Sequence, residues 1–145
     1  MTDPDRYFAG DAGMRAESKG TWVRWNELDP LVMVPGLTFQ PVLGDKVMAN
    51  FVTFEPHTEA PVHWHDEEQI TLVIDGEFEF EVAEETRIMR RGDAVVIPPN
   101  VPHGARTHES SCLEIDVFHP PRRGVLEAMG LVEPSAQGGT SDDDR

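Results

Sequence analysis

Cysteine, long apolar runs and basic residues are all scarce in this chain. Cys112 is the only cysteine among 145 residues, so no intrachain disulfide can form, which fits a reducing compartment. No apolar segment approaches the ~20 residues that a membrane span requires. The first residues lack the basic and apolar regions of a secretion signal. We therefore expect a soluble, cytoplasmic protein.

Positive charge is outweighed by negative charge. The sequence has 12 basic and 27 acidic residues, which gives a formal net charge of −15. Such a field repels nucleic-acid phosphates and anionic lipid head groups. Neither nucleic acid nor a membrane is expected as a partner. A small carboxylated molecule can still bind if a metal ion and an arginine supply local positive charge.

The chain is long enough for one domain with a hydrophobic core. Short apolar runs broken by turn signals begin at Thr21, and this spacing predicts an all-β domain over residues 21–130 that ends in a short helix. Residues 1–20 are predicted to form a loose arm or a strand exchanged with a partner subunit. Residues 131–145 are predicted to form an acidic, disordered tail.

Three segments carry specific predictions about strands. Asp75-Gly76 lies between the run Ile70–Ile74 and the strictly alternating segment Glu77–Val82, which predicts a tight hairpin. The apolar run Ala94–Ile97 predicts a strand that is buried throughout. Residues 111–118 alternate, so Leu113, Ile115 and Val117 share one face of this strand and the other face carries Cys112, Glu114, Asp116 and Phe118.

His63 and His65 are separated by a single residue. In an extended strand both imidazoles point to one side, and Trp64 points away from them. A divalent transition metal accepts neutral imidazole, and more than two protein ligands are needed to hold it in a defined geometry. Gln69 and His103 are the candidates for the remaining donors.

The order of these residues is specific. Gln69 follows His-x-His after three residues and Gly76 follows after six more, while Gly92 and Pro98 precede His103 at a similarly defined spacing. This pattern resembles the two motifs of the cupin superfamily, in its small single-domain (cupin type 2) form. The resemblance implies an antiparallel β-barrel of the double-stranded β-helix, or jelly-roll, type. It also implies a homodimer and one divalent transition metal bound by four residues: His63, His65, Gln69 and His103.

Four positions depart from the family pattern, which usually has glutamate, glycine, glycine and asparagine where this chain has Gln69, His57, Asn100 and Thr107. Asn100 is a reasonable substitute for a turn glycine, because asparagine tolerates the left-handed backbone conformation. Gln69 leaves the metal its full +2 charge, which polarises bound oxygen ligands more strongly. Alternatively, Gln69 only hydrogen-bonds nearby and water completes the metal shell, with Glu67 and Glu68 as rival ligands. Zinc, nickel, iron and manganese all suit imidazole and amide oxygen.

Asp116, Phe118 and Arg122 form a second group of interest. Asp116 and Phe118 share a strand face, and Arg122 follows two prolines that restrict the path of the backbone. This ending resembles that of cupins in pectin and alginate degradation, which open 4,5-unsaturated monouronates to linear keto sugar acids. The resemblance implies that Asp116, Arg122 and Gln69 are catalytic. It also implies that Phe118 and Arg122 bind the substrate.

The side chains themselves are suited to this chemistry. A metal binds hydroxyl or carboxylate oxygens, Arg122 can form a two-pronged pair with a carboxylate, and Asp116 can transfer a proton at the sugar ring. A buried polar contact for Asp116 and a surface ion pair for Arg122 are the structural alternatives. Two other functions stay open. One is oxygen-dependent cleavage of an enol or flavonoid-like substrate, and the other is non-catalytic binding of a metal or small molecule.

Overall fold

The computed structural model describes residues 3–8 and 15–135. Within these ranges the chain forms nine strands: β1 (Leu31–Val34), β2 (Leu37–Leu43), β3 (Met48–Phe54), β4 (Glu59–His63), β5 (Glu68–Val82), β6 (Glu85–Arg90), β7 (Ala94–Ile97), β8 (His103–Arg106) and β9 (Cys112–His119). It also forms two short helices, α1 (Pro4–Phe8) and α2 (Arg123–Ala128), and a 3-10 turn at Trp25–Glu27. None of the helices in the described ranges is long and apolar enough to cross a membrane.

The strands form two antiparallel sheets that share strand β5. One sheet has the order β1-β2-β3-β9-β5-β7, and the other has the order β4-β8-β5-β6. A continuous strand common to both sheets curls them around one interior. The predicted all-β, antiparallel barrel is therefore confirmed.

The predicted hairpin at Asp75-Gly76 is wrong. Strand β5 runs without a turn from Glu68 to Val82. Its first half pairs with β9 and β7, and its second half pairs with β6 and β8. Gly76 has a φ of +77° and lies against the backbone of Ser111, where an added Cβ would stand 2.1 Å from the carbonyl oxygen. The glycine therefore serves a bend and a close backbone contact where β5 passes between the sheets.

The prediction that Ala94–Ile97 is buried throughout is also wrong. This segment is strand β7, which pairs with β5 along one edge. Val96 is 58% exposed, whereas Ile97 is buried. An edge strand that covers the barrel with one face leaves alternate residues in solvent, even when all of them are apolar.

The interior is built from alternate residues of the central strands. In β3 and β9 every second residue is buried, which confirms the predicted alternation of residues 111–118. Asn50 and Thr71 lie directly across from Asp116 on its two neighbouring strands, so three polar side chains share one layer of the barrel. Most of the remaining buried side chains are apolar: Leu37, Val52, Phe54, Val73, Phe78, Phe80, Met89, Ile97, Ala105 and Cys112.

Helix α2 packs against one end of the barrel. Its buried residue Val125 contacts a small cluster formed with Met48 and Phe118. This end also holds the start of β5, because Phe118 pairs with Gln69. The helix matches the predicted short closing helix and places the segment before it, including Arg122, beside the interior.

The predicted arm and tail are described only in part. Helix α1 has no buried residue, and residues 15–24 are exposed. Residues 136–145 of the predicted tail lie outside the described residues. The division of the chain into arm, barrel and tail stays a prediction.

Candidate metal centre and substrate cavity

Three histidines meet at one end of the barrel. His63 ends strand β4 and pairs directly with His103 at the start of β8, while His65 lies in the loop before β5. Their ligand nitrogens all lie within 4.8 Å of one another. We call these three residues the histidine cluster. Its geometry suits a single metal ion, for which imidazole nitrogen is a common ligand.

Backbone contacts orient each imidazole. The Nδ1 atom of each histidine donates to a carbonyl oxygen, at 2.8 Å for His63, 3.1 Å for His65 and 2.8 Å for His103. The acceptors are the carbonyl groups of Pro61, Glu67 and Val101. In the tautomer that makes these bonds, the Nε2 lone pair is free for a cation. The Nε2 atom of His103 is buried and has no hydrogen-bond partner among the described residues, as expected for a metal ligand.

The imidazoles are held in their neutral, ligating form. Burial lowers the pKa of His65 and that of His103 to about 4, and burial also lowers the pKa of His63. Positive charge on Arg122 and on the neighbouring histidines acts in the same direction for His65 and His103. A cation therefore competes with few protons at neutral pH.

Gln69 presents its amide oxygen to the same point. Its Oε1 lies 3.0 Å from Nε2 of His65, while its Nε2 donates to Thr71 Oγ1 at 2.8 Å and to Asp116 Oδ1 at 3.1 Å. The two donated bonds fix the orientation of the amide. Two ligand atoms that are each ~2.1 Å from a metal and at right angles stand ~3.0 Å apart, so the observed distance fits two adjacent ligands of one ion.

The rival ligands lie elsewhere. Glu68 is exposed. Glu67 is buried on the opposite side of His65, where its carboxylate is 3.4 Å from Nδ1 and accepts a 2.7 Å bond from the backbone nitrogen of Arg123. Glu67 therefore supports the ring of His65 from behind and holds the start of helix α2.

A cavity of about 230 Å³ opens next to the histidine cluster. Its lining brings together six of the seven predicted site residues: His63, Gln69, His103, Asp116, Phe118 and Arg122. His65 does not line the cavity, but its ligand nitrogen lies within 4.8 Å of those of His63 and His103, which do. The cavity floor is apolar and buried, and consists of Leu37, Val52, Phe54, Phe80 and Ala105.

Asp116 is the centre of a buried polar network. Its Oδ1 accepts hydrogen bonds from Thr71 Oγ1 at 2.7 Å and from Gln69 Nε2. Burial raises the pKa of Asp116, and hydrogen bonds from Glu114, Thr71 and Gln69 oppose that rise. Burial also raises the pKa of Glu114 well above its usual range, with the neighbouring Asp116 adding to the effect. Burial therefore favours a proton on this pair of carboxyl groups, while the donors around Asp116 favour its charged form.

Arg122 reaches the cavity from the segment before α2. Its side chain is about a quarter exposed, and its Nη1 lies 3.9 Å from Glu67 Oε1. Gly124 gives the guanidinium its space, because an added Cβ would stand 2.9 Å from Nη1. Burial lowers the pKa of Arg122, but a guanidinium stays charged in proteins. Phe118 lies with its ring 5.6 Å from that of His65, so it packs on the histidine cluster as well as lining the cavity.

Sequence reasoning assigned no role to Thr71, Glu114 or Gly124. The sequence did contain a signal for Thr71 and Glu114. Thr71 is two residues from Gln69 and Glu114 is two residues from Asp116, so in a strand each shares a face with that site residue. Gly124 had no local signal, since its role depends on where the side chain of Arg122 lies.

Asn100 stands where the family usually has a turn glycine. Its φ angle is +66°, which confirms the predicted substitution for a turn glycine.

Comparison with known proteins identifies the family. Residues 50–118 match Cupin_2, the cupin domain family. The chain is 32% identical over 103 residues to the pectin degradation protein KdgF of Dickeya dadantii, a match that covers 70% of this chain and 90% of the relative. The structure of KdgF from Halomonas sp. superimposes with a TM-score of 0.69 and 34% identity, covering 74% of this chain and 100% of that one. The chain belongs to the cupin family and is of the KdgF type, which confirms the predicted resemblance.

A further relative is matched over a shorter stretch. The chain is 40% identical over 82 residues to the H2HPP isomerase of Bacillus subtilis, which covers 54% of this chain and 34% of the relative. The match therefore spans about a third of the length of that protein.

Proposed function

We propose that this protein is a metal-dependent cupin enzyme that opens the ring of 4,5-unsaturated uronates to give linear keto sugar acids. The observation that carries the proposal is the amide of Gln69, which turns its oxygen to the histidine cluster and donates its N–H to Asp116. One side chain thus links the candidate metal to the candidate proton-transfer group at the wall of a single cavity. The likeness to pectin degradation protein KdgF supports the choice of substrate.

The metal would be held by the histidine cluster and Gln69. Three neutral imidazoles and one amide oxygen bring no charge of their own, and they suit zinc, nickel, iron or manganese. When bound, the ion supplies positive charge that polarises an oxygen atom of the substrate.

The remaining residues act on the substrate directly. Arg122 binds the carboxylate of the uronate, and Phe118 packs against the sugar ring. Asp116 takes the proton of the anomeric hydroxyl while the bond between the anomeric carbon and the ring oxygen breaks, with that electron pair going to the ring oxygen. The products of this step are an aldehyde and an enolate, and transfer of the proton from Asp116 to carbon 4 of the enolate gives the ketone. No atom is gained or lost, so the reaction is an isomerisation.

The proposal is tested with Asp116→Asn and Arg122→Ala. Turnover is followed by loss of the ultraviolet absorbance of the carbon–carbon double bond, and metal content is measured in the same samples. Both variants are expected to keep the metal and to lose turnover by roughly 100-fold or more. Cys112→Ala is the matched control, because Cys112 is buried on the same strand face but does not line the cavity. Full activity in either variant, or tight uronate binding without turnover by the wild type, would contradict the proposal.

The apolar floor favours a second candidate. Leu37, Val52, Phe54 and Phe80 offer contacts to a nonpolar ring rather than to hydroxyl groups. Because a relative is an H2HPP isomerase, the second candidate is isomerisation of a small carboxylate whose far end is apolar. Competition between uronates and cyclic, apolar carboxylates for the site distinguishes the two.

We also propose that the protein forms a homodimer through the outer face of the larger sheet. On this face Ile70 lies between Val96 and Val117, and Leu72 lies beside Ile115. These five positions carry no charge in a chain of net charge −15, so a second copy can approach here with least repulsion. Ile70→Lys is expected to shift the mass measured by light scattering from dimer to monomer. A cytoplasmic location stays a prediction.

A further inference from the structure

Glu114 lies deeper in the barrel than Asp116. On strand β5, Gln69 faces Phe118, Thr71 faces Asp116 and Val73 faces Glu114. Each inward step along a strand spans two residues, or about 7 Å. Glu114 is thus one step further from the histidine cluster than Asp116, on the side of the apolar floor.

One oxygen of Glu114 has no partner within the described residues. The side chain is only 2% exposed and lines the cavity, and its Oε1 makes no hydrogen bond. Its neighbours across the sheet are Val52 and Val73, which have no polar side-chain atoms to offer. A buried acceptor without a donor is costly, and native proteins rarely leave one.

Glu114 shares a side-chain hydrogen bond with Asp116, and because Oε1 has no partner this bond is assigned to the other carboxyl oxygen. This leaves Oε1 as an acceptor only, whichever of the two residues carries the proton. A partner at this point must therefore be a donor such as a hydroxyl group. A carboxylate would place two acceptors against each other.

We propose that Glu114 forms a hydroxyl-binding subsite at the deep end of the cavity. This inference rests on the proposed function and specifies the orientation of the substrate in it. The carboxylate of the sugar acid lies at Arg122, the reacting end lies at Asp116 and the histidine cluster, and a ring hydroxyl donates to Glu114 Oε1. Glu114 is thus a specificity-determining residue that favours substrates whose ring carries a hydroxyl group at this position.

The experiment compares an unsaturated uronate with its 2-deoxy and 3-deoxy analogues. For the wild type, kcat/KM is expected to fall roughly tenfold for the analogue that lacks the bonded hydroxyl. Glu114→Leu is expected to lower kcat/KM for the full substrate and to remove this discrimination. Glu114→Gln keeps a carbonyl oxygen at the site and is expected to restore part of it, while the Cys112→Ala control behaves as the wild type does.

A purely structural role for Glu114 gives a different result. Glu114→Leu would then lower kcat/KM by the same factor for all substrates and leave the discrimination intact, which would overturn the inference while the proposed function stands. If the wild type turns over no uronate, the proposed function fails by itself. The subsite is then tested by calorimetry with saturated uronate and its deoxy analogues, and equal discrimination in wild type and Glu114→Leu overturns it.

Discussion

The amide oxygen of Gln69 lies 3.0 Å from Nε2 of His65. When His65 donates from Nδ1 to the backbone carbonyl of Glu67, neither of the two facing atoms carries a proton. Two lone pairs at this distance repel unless a cation shares them. Because the amide nitrogen of Gln69 donates to Asp116 at the same time, this residue is, in the proposed function, both a metal ligand and a link to the proton-transfer group.

Gln69→Glu tests this double role. The variant keeps an oxygen donor for the metal but loses the N–H groups that donate to Thr71 and Asp116, and it adds a buried negative charge beside Asp116. We expect metal content to be retained and turnover to fall by roughly 10- to 100-fold, because hydrogen bonds to charged groups are worth about 1.5–3 kcal/mol. The measurement is kcat alongside metal content in one preparation. Wild-type kcat in Gln69→Glu would mean that the amide donors do not matter.

The pH dependence of stability reports on Glu114. Its pKa is raised in the folded protein, so the folded state holds a proton that the unfolded chain releases above about 4.5. Stability is therefore lost as the pH rises above that value, by at most about 1.4 kcal/mol for each pH unit. Glu114→Gln removes this loss, and its thermal stability relative to wild type should increase from pH 4.5 to neutral pH. Glu68→Gln, at an exposed position, is the control for loss of one charge. A constant difference across this range would refute the assignment.

Two glycines separate backbone strain from close packing. Gly76 and Gly92 both have positive φ angles, but an added Cβ meets the Ser111 carbonyl oxygen at 2.1 Å in the first case and nothing within 4 Å in the second. Gly92→Ala should cost about 1–2 kcal/mol of unfolding free energy, and Gly76→Ala should cost roughly 2–4 kcal/mol or more. Denaturant unfolding of both variants measures the difference. Equal losses would show that the close contact of β5 with the segment before β9 contributes nothing.

Gly124→Ala tests the placement of Arg122. The added Cβ would stand 2.9 Å from Nη1 and 3.2 Å from Cζ, so the flexible guanidinium must move while the backbone need not. We expect KM for the uronate to rise roughly tenfold, with metal content and thermal stability close to wild type. Arg122→Ala gives the increase in KM that is expected when the guanidinium is removed altogether. An unchanged KM would show that the observed position of the guanidinium is not the one used in binding.

Local patterns predicted the fold and most of the site. Alternation along residues 111–118 placed Asp116 and Phe118 on one shared face of the strand, because the direction of a side chain in a strand depends only on its neighbours in sequence. The Asp75-Gly76 hairpin failed because such a pair has the same local signature in a turn and in a bend between two sheets. The difference lies in the partners of β5, which are distant in sequence.

The role of Glu67 shows the same limit. Sequence offered it as a rival ligand, but the chain turns after His65 and carries the carboxylate to the Nδ1 side of the ring. Side chains alternate between two faces only within a strand, so alternation does not predict their direction in the loop before β5. Likewise, the contact between Gly124 and Arg122 depends on how the chain enters helix α2. The sequence predicts a helix here but does not predict its direction relative to the barrel.

Metal analysis of the purified protein tests the central claim most directly. Wild-type protein and His103→Ala are each incubated with zinc, nickel, iron(II) or manganese and then freed of unbound ions. Their metal content is measured by mass spectrometry. His103→Ala removes the buried Nε2 atom that has no partner in the described part of the chain. We predict one divalent ion per chain in the wild type and a large loss in His103→Ala. Wild-type protein that retains none of these metals, or a variant that retains as much as the wild type, would contradict it.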